Sequence, residues 1–83
     1  MAVTIDNTPN PNALKFTVGE EVGGPVTFTV ETAGDHPVAV AVLGVQGVTS
    51  MFMTADFVTV TKDADGDWSA IAPAVQAILE AAF

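Results

Sequence analysis

The chain has 83 residues, the length of one small domain, read as residues 1–83. Ten acidic side chains face two lysines and no arginine, for a net charge of −8, so nucleic acid and anionic membranes are excluded as partners because both need a basic surface. There is no cysteine, which excludes a disulfide scaffold and leaves no thiolate for zinc or an iron–sulfur cluster.

The N-terminus lacks the basic and apolar regions of a signal peptide. The longest apolar run, Val38 to Val45, is too short to span a bilayer. A cytoplasmic location and a monomeric state are the expectations. The acidity serves solubility or salt adaptation.

Val3 and Ile5 alternate within Ala2–Asp6, a short strand. Thr8-Pro9-Asn10-Pro11-Asn12 follows. Its prolines fix φ and push Thr8 and Asn10 into extended conformations, while the asparagines favour side chain to backbone turns. The loop is therefore stiff. Leu14, Phe16 and Val18 then share one strand face, with Lys15 and Thr17 on the other, to about Gly19. Gly23-Gly24-Pro25 signals a turn. Val26–Glu31 is the cleanest strand, with Val26, Phe28 and Val30 pointing inward.

Ala33–Val45 fits a strand or a helix. Pro37 suits a first helical turn with Asp35 or His36 as its cap, and Gly44 and Gly47 supply stop signals, so the segment is predicted helical. It is apolar nearly all round, which predicts deep burial. Val48–Met53 and Phe57–Lys62 form a hairpin across Thr54-Ala55-Asp56. A polar loop, Asp63–Asp67, leads to a last helix whose stripe is Trp68, Ile71, Val75, Ile78, Leu79 and Ala82. Pro73 is expected to loosen or kink its first turn. The fold class is α+β in the order β-β-β-α-β-β-α. About five mainly antiparallel strands form a two-layer sandwich with both helices on one face.

Few residues carry chemistry. Asp63, Asp65 and Asp67 have calcium-like spacing, but Trp68 and Ala74 stand where a calcium loop needs glycine and glutamate. Asp67 is read as an N-cap. His36 is the only histidine, with Asp35 and Glu31 the nearest acids. It is the one candidate for holding iron, in company with carboxylates. No nucleophile lies in a catalytic setting and no phosphate loop is spelled, so the chain is read as non-enzymatic and without a resident cofactor, iron being the alternative. Met51-Phe52-Met53 cannot all be buried by alternation. Either Phe52 faces the core and both methionines face out, or the reverse. Outward methionines would form an adaptable interaction patch.

The stretch Thr8–Phe16, TPNPNALKF, resembles the signature opening of the Nfu/NifU N-terminal domain family. Pro37-Val38-Ala39 with Val42-Leu43, then Gly47-Val48, is similar to that family's first helix and its exit. Asp56–Lys62, DFVTVTK, is similar to one of its strands, and Trp68 opening the last helix with Pro73 inside it is also familiar. His36 replaces a small capping serine, and the Thr54-Ala55 turn lacks the usual glycine. The resemblance covers essentially the whole chain and implies a role in iron–sulfur cluster assembly or iron handling. In full-length relatives a separate C-terminal domain with a C-x-x-C motif holds the cluster. With no such motif here, the resemblance implies a stand-alone N-terminal domain acting as an accessory, partner-binding module, not as the scaffold.

Three readings follow. In the first, the chain docks a protein, an iron–sulfur carrier or client, through Asn10, Pro11, Asn12 and Lys15, with Met51 or Met53 nearby. In the second, His36 and carboxylates bind iron directly. In the third, the Met51–Met53 face drives oligomerisation unrelated to iron. For the first, the competing explanation of the loop is that Asn10 and Asn12 lock the first two strands through Asx-type turns.

Overall fold

The computed structural model describes residues 3–82 except Val30, Ala33 and Asp35. Five strands form, β1 Thr4–Asn7, β2 Ala13–Thr17, β3 Val26–Thr29, β4 Val48–Thr54 and β5 Phe57–Lys62, with helices α1 Pro37–Leu43 and α2 Trp68–Ala82. The element order is the expected one, and the segment that fitted either class is a helix. The sheet order is β1-β2-β5-β4-β3, and every pairing is antiparallel.

Register explains the two faces. Phe16 pairs with Val58 and Leu14 with Val60; Met51 pairs with Val60 and Met53 with Val58. Alternation puts all of these on one face, where they join Ala39, Val42, Ile71, Val75 and Leu79 from both helices in one buried cluster. Both helices thus cover the same face. The opposite, outer face carries Lys15, Thr17, Phe52, Phe57 and Thr59, all half-buried.

Helix α1 departs from expectation. Ala39, Val42 and Leu43 are buried, but Val40 is 50% exposed and Ala41 is exposed. A helix of seven residues meets β4 and α2 on one side only, so its apolar far side stays open. Val26 keeps the expected parity, opposite Met53, yet is 37% exposed because β3 is the sheet edge. Val30, expected inward, and Asp35, a proposed cap, lie outside the described residues. The cap of α1 is His36, whose Nδ1 accepts from the Ala39 N–H at 3.3 Å.

Helix α2 starts at Trp68, directly after Asp67, whose Oδ1 accepts from the Ser69 N–H at 3.0 Å. Its buried positions are Ile71, Val75 and Leu79; Ala82, placed on the stripe, is exposed. The helix continues through Pro73. Ser69, whose carbonyl would have received the missing N–H, is exposed, so water can serve it. The β4–β5 turn holds Ala55 at φ 50, the left-handed conformation that glycine usually takes.

Candidate partner-binding site

The loop between β1 and β2 is built from its own polar groups. Asn10 Oδ1 accepts from the Asn12 N–H at 2.9 Å, an Asx turn, and the Ala13 N–H donates to the Asn10 carbonyl at 3.0 Å. The Thr8 hydroxyl accepts from the Asn10 N–H at 3.1 Å and lies 2.9 Å from the carbonyls of Asn10 and Ala13. The two prolines carry no N–H, so these bonds satisfy much of what the loop has to offer.

The loop is also tied to the far end of the chain. The Lys62 N–H donates to the Asn12 carbonyl at 2.8 Å, and Lys62 Nζ donates to Asn12 Oδ1 at 3.0 Å and to the Asp63 carbonyl at 3.1 Å. The ammonium lies 5.8 Å from the Trp68 ring centre, and Trp68 Nε1 donates to the Pro11 carbonyl at 3.1 Å. Lys62 is 8% exposed. Sequence reasoning missed this clamp, although Lys62 has the same strand parity as Val58 and Val60 and so points toward the core layer.

These bonds bear on the expected site. The side-chain oxygens of Asn10 and Asn12 are committed internally, so the loop does lock β1, β2, β5 and α2 together. Asn10 and Pro11 remain exposed and Asn12 half-buried, and the asparagine NH₂ groups are what they can still offer a partner. Lys15 stands on the outer face as expected, its Nζ 4.5 Å from the Phe57 ring centre.

Met51 and Met53 do not belong to this surface. They are 0% and 1% exposed, because their pairing with Val60 and Val58 turns them under the helices. This corrects their assignment as partner-contact residues and removes the methionine face as an oligomerisation surface. Phe52 takes the outward position instead.

His36 is engaged twice, as the α1 cap and against Phe28, with ring centres 5.0 Å apart. Among the described residues, no three histidine, aspartate or glutamate side chains converge to hold a metal ion. Asp63, Asp65 and Asp67 line an open cleft of about 350 Å³ with Gln46, Gly47 and Ile71. Ser69, through its side chain and then its N–H, holds the Asp67 carboxyl below the usual carboxylate range, and Lys62 adds a smaller pull. No described helix is long and apolar enough to cross a membrane.

An antiparallel sheet with one face under two helices and the other without a helix among the described residues, stapled at one end by an asparagine loop, defines the structural class. Comparison with known proteins gives the family. The family model described as "Scaffold protein Nfu/NifU N terminal" matches residues 3–83, and the chain belongs to that family. It is 37% identical over 81 residues to the NFU1 iron-sulfur cluster scaffold homolog, mitochondrial, of Drosophila grimshawi, covering 93% of this chain and 27% of that protein. The Drosophila ananassae protein of the same name is 39% identical over 83 residues, covering 95% and 29%. The chain thus spans under a third of the length of these curated relatives. The crystal structure of Staphylococcus aureus protein SAV1430 has a TM-score of 0.77 at 32% identity, covering 94% of this chain and 98% of that one. The solution structure of a NifU-like protein from Saccharomyces cerevisiae has a TM-score of 0.81 at 26% identity, covering 93% and 73%.

Proposed function

We propose that this chain is a non-catalytic, partner-binding module of iron–sulfur cluster assembly that docks a cluster carrier or client without holding the cluster itself. Membership of the Nfu/NifU N-terminal family carries the link to assembly. The cysteine-free sequence carries the second half, since cluster irons are held chiefly by thiolates. Asn10, Pro11, Asn12 and Lys15 are the proposed contact residues, and the proposed compartment is the cytoplasm. A loop already fixed by its own bonds loses little entropy on binding, which supports a recognition role.

Affinity capture from an extract of the native host tests this reading. Iron–sulfur carriers or clients should be enriched over a Lys15→Glu control. Enrichment only of proteins unrelated to iron–sulfur chemistry, or equal capture by the control, would overturn it.

A further inference from the structure

The outer face of the sheet differs from the rest of the surface in charge. On it, Asp6 and Lys15 stand in register on neighbouring strands and cancel. The remaining positions are buried Ala13, threonine, serine and the two rings Phe52 and Phe57, which lie diagonally, since Phe52 pairs with Thr59 and Phe57 with Thr54. Lys15 is folded onto the Phe57 ring, and Lys62, the other lysine of the chain, is buried in the clamp. Six of the ten acids lie at the two ends of the sheet. Glu20 and Glu21 follow β2 beside the β4–β5 turn, which itself carries Asp56; the Val18 N–H bonds to the Asp56 carbonyl and the Val22 N–H to that of Ala55. Asp63, Asp65 and Asp67 follow β5 at the opposite end, in the loop that carries the chain round to α2.

A neutral aromatic strip between two anionic ends fits a partner of complementary layout. We propose that this face docks a basic amphipathic helix of a partner protein, whose apolar side lies on Phe52 and Phe57 and whose flanking lysines or arginines reach the two acidic ends. Strands of five or six residues separate those ends by about 17–20 Å, a span a helix covers in about 11–13 residues at about 1.5 Å each. A second copy of the chain is a poor occupant, because it would set one −8 chain against another. The inference rests on the partner-binding reading and adds the surface and the partner's chemistry.

The test uses ¹⁵N-labelled protein and two synthetic 14-residue helical peptides with a leucine face. One is flanked by lysines at both ends and the other by glutamates. The lysine peptide should shift the amide resonances of Lys15, Phe52, Phe57 and Thr59, and should bind about tenfold more weakly at 300 mM salt than at 50 mM. Phe52→Thr with Phe57→Thr, which keeps β-forming residues on a solvent face, should weaken binding at least about tenfold. Equal binding of the glutamate peptide overturns the proposal. So do shifts confined to the α1–α2 surface or the Asp63–Asp67 cleft, and so do concentration-dependent shifts of the same residues without peptide, which would mean self-association. Shifts confined to Asn10–Asn12 overturn the outer-face inference while leaving the partner-binding module intact. The mapping is made on the unmutated protein, so it stands even if the double variant unfolds.

Discussion

Lys62 Nζ donates to Asn12 Oδ1 at 3.0 Å across 50 residues of sequence, placing a buried ammonium under the loop between β1 and β2. The bond closes the N-terminal loop onto β5 and the start of α2, and Trp68 completes it through the Pro11 carbonyl. A buried charge with its hydrogen bonds made is tolerated; one left without them is costly. Asn12 is therefore a structural partner of Lys62 whatever else it contacts.

The pair is measurable. Asn12→Ala should destabilise the chain by about 1–3 kcal/mol in urea unfolding, since it strips one acceptor from a charged donor. Lys62→Met removes the charge but keeps an aliphatic stem beside Trp68. A double-mutant cycle should give a coupling of about 0.5–3 kcal/mol. Additivity within about 0.3 kcal/mol would mean the bond contributes nothing to folding.

Ala55 sits at φ 50 in the two-residue turn between Thr54 and Phe57. An L-residue in that conformation costs about 1–2 kcal/mol, and the extra unfolded freedom of glycine returns about 0.4–1 of it. Ala55→Gly should thus stabilise the protein by about 0.5–1 kcal/mol, read as a rise in melting temperature. A drop would show that the turn is not strained.

Element order was legible because the alternation in β2, β3 and β5 and the stripe of α2 are strong local signals. What alternation cannot give is sign. Met51 and Met53 share parity, but only their pairing with Val60 and Val58 decides that they, and not Phe52, face the helices. The openness of α1 was hidden for a similar reason: an all-apolar sequence does not say how many neighbours it meets, and Val40 meets too few. The turn chemistry of Asn10 was legible from residue type, whereas the tie from Asn12 to Lys62 was not, because the two meet only once β2 pairs with β5.

Asp67 gives a pH signature. Its carboxyl is held below the ordinary value of 3.8, first by the Ser69 side chain and then by the Ser69 N–H. A depressed folded pKa contributes stability that is present above the unfolded value and lost as pH falls through the folded one. Asp67→Asn keeps a capping oxygen but does not titrate. The variant should therefore lose less stability than the parent as pH is lowered from 4.5 to 2. Parallel profiles would show that the cap does not depend on the ionised form.

For the loop, stability and binding must be read together. Asn10→Ala with Asn12→Ala should lower stability, because both side-chain oxygens are bonded within the chain. If the loop contacts the partner, the fraction still folded should also capture iron–sulfur proteins less well at matched folded concentration. Undiminished capture by that fraction would remove Asn10 and Asn12 from the contact surface.

Anaerobic reconstitution tests most directly the claim that the chain does not itself hold the cluster. The protein is incubated with ferrous iron and sulfide, desalted, and examined by visible absorbance with iron and sulfide analysis. The expected result is a colourless protein with no charge-transfer bands and no retained metal, since cysteine is absent and the His36 Nδ1 already caps α1. A brown protein retaining iron and sulfide in stoichiometric amounts would contradict it.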